Sequence, residues 1–190
     1  MNSQSFLLSW IKITIYGWLL GFVFIVLLAF GGEALGLGEF QFFIGIAIGA
    51  GVGYMQGRFL KIYFDIDWKW VVVSSASMGL SFAFFDLART FSTIEYNLFY
   101  TAALGGLLVS VAQYYILRLF FKNSLLWIPV SWLAWMAAGG LVRLTELIDI
   151  LGLPGLVSAI IVLVILTIGA SALLGLITGL GLKRIIVVQS

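Results

Sequence analysis

The 190 residues contain no cysteine and no histidine. Disulfides, thiolate nucleophiles and imidazole bases are therefore excluded, along with nearly every zinc, haem or iron–sulfur ligand set. No metal and no cofactor is expected. Proline is almost absent, at Pro129 and Pro154 alone. Charge is scarce as well: 10 Lys+Arg and 8 Asp+Glu amount to 9% of the chain, against about 25% in soluble domains. So few charges cannot coat a water-soluble globule of this length. Disorder is excluded for the opposite reason, since it needs low hydrophobicity and high charge. The net charge is +2 with no basic run, so no nucleic-acid partner is expected.

What is abundant is apolar: 63% of the residues are hydrophobic, 16% are aromatic, and there are 22 glycines. The charges divide this material into charge-free stretches at 13–32, 40–57, 70–85, 96–117, 123–142 and 150–182. A helix crosses the hydrocarbon of a bilayer with about 20 apolar residues. Transmembrane strands would alternate in polarity, and these stretches are apolar on every side. The spacing therefore predicts an all-α integral membrane protein with six transmembrane helices in one membrane domain, 1–190. The sixth stretch is long and is broken near Leu151–Gly155, so its helix is expected to begin about Pro154.

Six spans place both ends of the chain on one side. That side receives Lys12, Arg58, Lys61, Lys69, Arg118, Lys122, Lys183 and Arg184, and the other receives only Arg89 and Arg143. Basic loops stay in the cytoplasm, so both termini are expected there, in a multi-pass protein of a bacterial cytoplasmic (inner) membrane.

The chain also repeats itself. Trp10, Trp70 and Trp127 superimpose, followed by Thr14, Ser74 and Ser131, then Trp18, Met78 and Trp135, then Gly21, Ser81 and Ala138. The even spans align on Gln56, Gln113 and Thr178. Before them come Gly49, Gly106 and Ser171, then Gly53, Ser110 and Gly175; after them come Leu60, Leu117 and Leu182, and then Lys61, Arg118 and Lys183. Units of odd-plus-even helix run near 10–61, 70–118 and 127–183. Each unit leaves from and returns to the same side, so the repeats are parallel, related by an axis along the membrane normal. Three hairpins with approximate threefold symmetry are expected.

Gly49, Gly53, Gly106, Ser110, Ser171 and Gly175 occur at the four-residue spacing that lets membrane helices approach closely, and are read as helix-packing positions. Gln56, Gln113 and Thr178, one turn inside the cytoplasmic ends, are candidates for polar packing between helices or for lining a solute path. Trp10, Trp68, Trp70 and Trp127 suit a cytoplasmic interfacial belt. Asp86 and Arg143 occupy equivalent positions of two repeats near the outer boundary and are a candidate ion pair, because an unpaired charge facing hydrocarbon is costly.

The Gly-x3-Gly-x2-Gln pattern of Gly49, Gly53 and Gln56, with the Trp-containing hairpins, resembles small bacterial polytopic membrane proteins built on the same repeat. The resemblance covers most of the chain and implies a multi-pass membrane fold; it brings no catalytic residue. Three hairpins are also similar in number to mitochondrial carriers, whose Pro-x-acidic-x-x-basic signature Pro129 and Pro154 do not fit. Size and topology are similar to vitamin-binding subunits of energy-coupling uptake transporters, but no Ala-x3-Ala motif is evident in the first span.

Two functions follow from this inventory. One is a non-enzymatic integral membrane subunit or scaffold that packs against partner proteins, further copies of itself or lipids. The other is a small transporter or channel for an apolar or weakly polar solute. An enzyme would need converging polar groups, and only Asp86, Glu95, Arg143, Glu146 and Asp149 gather near one face, so no enzyme is expected.

Overall fold

Apolar stretches of 16 to 33 residues with no strand-like alternation leave the backbone one way to satisfy its own amides in lipid, the α-helix. The computed structural model describes residues 3–66, 68–91, 97–145 and 155–187; expectations falling on Asp67, Glu95, Glu146, Asp149 and Pro154 lie outside them. The described residues form helices and no strand: α1 (Ser3–Ala34), α2 (Phe42–Phe64), α3 (Lys69–Phe91), α4 (Leu98–Leu117), α5 (Trp127–Leu144), α6 (Gly155–Val164) and α7 (Ala170–Val187). A π-helical turn, Ile165–Gly169, joins α6 to α7, so that Gly155–Ile186 reads as one helical run.

Local chemistry ends these helices. After α1, Gly36 takes a left-handed φ of 71°, and the Leu37 amide turns back to the carbonyl of Gly32 at 2.8 Å; glycine adopts that conformation without a Cβ clash. Asp65 ends α2 with φ 53° and its amide on the Lys61 carbonyl. Asn97 starts α4 by accepting the Phe99 amide at 3.0 Å, as an N-cap side chain does. Pro129 falls in the first turn of α5, where its missing N–H costs nothing.

Consecutive helices pack as neighbours, α1 on α2, α2 on α3, α3 on α4 and α4 on α5. α7 then lies against both α5 and α1, which closes the helices into a ring. Their directions alternate. One buried cluster takes Phe6 and Trp10 from the start of α1, Phe59 and Leu60 from the end of α2, Trp70 from the start of α3, and Leu117 from the end of α4. Trp127 from the start of α5 and Leu182 and Ile185 from the end of α7 complete it. A second cluster, with Trp18, Ile48, Val52, Met78, Phe82, Val109, Ala134, Trp135 and Leu174, lies along the inner side of the ring beyond the first.

The exterior is as apolar as the interior. Leu19, Val23, Leu27 and Phe30 of α1, Leu80, Phe84 and Leu87 of α3, Leu133 of α5 and Leu176 and Leu180 of α7 are all exposed. A soluble monomer rarely presents contiguous apolar surface of that extent. Five helices, Gln4–Ala34, Lys69–Phe91, Leu98–Leu117, Ser124–Leu144 and Gly155–Ile186, are long and apolar enough to cross a membrane. α2 has 23 residues but owes much of its composition to glycine, with Gln56 and Arg58 near its end. It is the helix packed between α1 and α3, and many of its residues face protein.

The residues aligned from Trp10, Trp70 and Trp127 through Gln56, Gln113 and Thr178 to Leu60, Leu117 and Leu182 are buried, whereas the closing Lys61, Arg118 and Lys183 are not. This changes the reading of the tryptophans. Trp10, Trp70 and Trp127 are at most 1% exposed and belong to the bundle centre, while Trp68, at 67%, is the one of the four open to its surroundings. An indole at a helix end in sequence can turn inward when three such ends converge, and the spacing of charges does not reveal that convergence.

Candidate functional site

Between the two apolar clusters lies a layer of buried polar side chains: Thr14, Gln56, Ser74, Gln113, Ser131 and Thr178. Three hydroxyls of the layer return their proton to their own helix, as does Ser110 on α4. Thr14 donates to the Trp10 carbonyl at 2.9 Å, Ser74 to Trp70 at 2.7 Å, Thr178 to Leu174 at 2.6 Å and Ser110 to Gly106 at 2.5 Å. The oxygens of Thr14, Ser74 and Thr178 then accept from neighbouring helices. Gln56 Nε2 donates to Thr14 Oγ1 at 3.2 Å, which ties α2 to α1. Gln113 Nε2 donates to Ser74 Oγ at 2.8 Å, which ties α4 to α3. Two indoles complete the layer. Trp127 Nε1 donates to Gln113 Oε1 at 3.0 Å, and Trp10 Nε1 donates to Thr178 Oγ1 at 2.9 Å. The structure thus brings Gln56, Gln113 and Thr178 to one level, each engaged with a helix other than its own.

Trp70 Nε1 and the Ser131 hydroxyl, also at this level, are buried without a hydrogen-bond partner. Thr178 is the physical reason for the second. A threonine hydroxyl has one proton, which goes to the Leu174 carbonyl, so nothing remains to reach Ser131 as the glutamine amides reach Thr14 and Ser74.

The small residues sit where backbones cross. A Cβ added to Gly49 would lie 2.5 Å from the Ser74 carbonyl oxygen and 2.8 Å from the Ser75 Cα on α3. At Gly53 it would meet Ser74 Cβ at 2.8 Å, and at Gly175 the Ile11 Cα and Thr14 Cβ of α1 at 3.0 Å. Gly106 faces the Trp135 side chain of α5. Ser171 is buried and donates to Thr167 and Ile168 carbonyls within its own run. Gly51 lies off the helix face that carries Gly49 and Gly53. It faces Gly17 and Gly21 of α1 instead, so α2 carries glycine on two sides because it has two close neighbours.

Asp86 is 5% exposed. Its Oδ2 accepts the backbone amides of Gln41 and Phe42, each at 2.8 Å, and so supplies from α3 the cap that Gln41's own side chain does not provide for α2. The carboxylate is thus held by amides and by the positive end of the α2 dipole. Arg143 stands at an exposed position of α5. α3 packs chiefly on α2 and α4, and α5 on α4 and α7.

On the other side of the polar layer from Trp10 the ring encloses a chamber of about 360 Å³. Helices α1 to α5 contribute to its wall, among them Trp18, Ile48, Phe82, Ala102, Trp135 and Val142, and no nitrogen or oxygen atom is exposed in it. Trp18 and Trp135 stack across the ring, centroids 5.9 Å apart. This chamber was not foreseen from sequence, because its lining residues are indistinguishable in type from those that face lipid. Among the described residues no three acidic side chains gather to hold a metal. Compared with protein-family models, curated proteins and solved structures, the chain matches none.

Proposed function

We propose that this chain is a non-enzymatic integral membrane subunit or scaffold, which packs against partner proteins and lipids through its helices. The observation that carries the reading is the engagement of Gln56, Gln113 and Thr178. Each is bonded to a neighbouring helix, and the layer is backed by the fully buried Leu60, Leu117 and Leu182. Polar groups that bind helix to helix hold the bundle together; a water-filled path would need them turned toward solvent. Isolation from native membranes in mild detergent tests this. A second membrane protein or second copy should remain in fixed ratio, and the isolated chain in liposomes should pass neither potassium nor glycerol. A lone chain that passes either would replace this reading with a small transporter or channel.

The same reading places the protein in a bacterial cytoplasmic membrane with the Trp10 end toward the cytoplasm. The basic residues flanking that end support it, by the positive-inside preference. Because the chain has no cysteine, single substitutions report cleanly. Leu35→Cys should react with an impermeant reagent from outside, and Asn123→Cys only after the membrane is opened. Reaction of both from one side would overturn the arrangement.

It also includes approximate threefold symmetry among hairpins 10–61, 70–118 and 127–183. Support comes from matched bonds, Gln56 to Thr14 and Gln113 to Ser74 within a hairpin, Trp127 to Gln113 and Trp10 to Thr178 between hairpins. The unpartnered Trp70 and Ser131 stand where the remaining members of each set would form. Thr178→Gln should give Ser131 its missing partner while still accepting from Trp10. The expected gain is about 0.6 kcal/mol, and at most about 1.7, for a hydrogen bond between membrane helices, read as a raised melting temperature. A loss comparable to that of Gln113→Thr would mean that the hairpins are not equivalent.

A further inference from the structure

From the chamber and the shape of its wall, we infer that the ring binds one hydrocarbon chain of about a dozen carbon atoms, taken from the bilayer between α1 and α5. The size follows from the volume. The chamber's 360 Å³ is roughly twelve times the ~30 Å³ that one water occupies in the liquid, and a methylene fills a similar share; an apolar cavity of ~150 Å³ already stays dry and binds benzene. The chemistry follows from the wall. With no nitrogen or oxygen exposed in it, a polar ligand would lose its hydrogen bonds to water and regain none, whereas a hydrocarbon loses nothing.

The route follows from the last helical run. α7 seals the ring against α1 and α5, but α6 packs chiefly on the π-helical turn that follows it, and none of its residues is buried. Leu166, in that turn, is the one residue of the run that reaches the chamber wall. A π-helical turn alters the direction of a helix and often marks a functional position. Here it carries α6 away from α1 and α5 at the level of the chamber and leaves a side opening toward lipid. The opposite route is closed by the polar layer and the three buried tryptophans.

Trp18 and Trp135 line the chamber and report on its contents. In protein carrying Trp68→Phe and Trp132→Phe, the other indoles, Trp10, Trp70 and Trp127, lie buried in the far cluster. Bromododecane, or phosphatidylcholine brominated along its acyl chains, should then quench emission in a saturable manner. Ala102→Phe and Val142→Phe, which fill the chamber from two helices, should remove the saturable component. Saturation by bromododecane identifies a free hydrocarbon molecule as a competent ligand; saturation by the lipid alone identifies a lipid tail. Either supports the site. Independently of any variant, dodecane should raise the melting temperature of the unaltered chain, because a ligand that binds only the folded state stabilises it. Quenching that is linear with both probes, together with an unchanged melting temperature, would overturn the inference. A failure of the subunit reading would instead show as solute flux without a partner, so the two are separable.

Discussion

Gly49→Leu is expected to prevent stable folding, or to lower stability by at least the upper part of the ~1–3 kcal/mol typical of overpacking. The reason lies in what meets the new side chain. Its first carbon alone would stand 2.5 Å from the Ser74 carbonyl oxygen and 2.8 Å from the Ser75 Cα. Backbone of a neighbouring helix cannot rotate aside as a side chain would. α2 and α3 must part, and Ser74 with them, although Ser74 Oγ is the acceptor for Gln113. The damage therefore extends from one crossing to the polar layer. Gly31→Leu is the control, because a Cβ at Gly31 has nothing within 4 Å and its helix propensity improves. Unfolding of both variants in detergent decides the matter. If Gly49→Leu melts with Gly31→Leu and the parent, the α2–α3 crossing is not close.

Asp86→Ala is expected to lower stability by about 2–4 kcal/mol. Two amides, of Gln41 and Phe42, lose their acceptor; an unsatisfied buried donor costs about 1–3 kcal/mol. The loss of a negative charge at a helix N-terminus adds about 0.3–1 kcal/mol, and up to ~2 where partly buried. Asp86→Asn keeps an acceptor oxygen and loses only the charge, so its effect should fall nearer 1 kcal/mol. Hydrogen exchange gives a readout specific to capping: the amides of Gln41 and Phe42 should exchange faster in Asp86→Ala, and those in the middle of α5 should not. Equal losses in the alanine and asparagine variants, with no change at the start of α2, would refute the cap.

These two residues also mark how far the sequence could be read. Gly49 and its companions were legible because a four-residue spacing of small side chains is itself the geometry of a helix face. Gln56, Gln113 and Thr178 were legible as polar side chains one turn inside apolar spans, and all three are buried. Asp86 was legible as an exceptional charge but not as a cap. Its partners are backbone amides at Gln41 and Phe42, and backbone atoms leave no mark in side-chain sequence.

Composition and charge spacing by themselves determined that the chain is helical, apolar on its exterior and able to cross a membrane. These follow from each segment's own need to satisfy its backbone and to suit its solvent, without reference to any other segment. The tertiary structure alone decided which apolar residues face lipid and which face inward. It turned Trp10, Trp70 and Trp127 into the centre, gave Gly51 a second neighbour, seated α2 on Asp86 and left a chamber beside Trp18 and Trp135. In a soluble protein, water separates inside from outside, and polarity records the division in sequence. Here lipid and interior are equally apolar, so hydrophobicity carries no such record, and only the closing of α7 onto α1 assigns each side chain its surroundings.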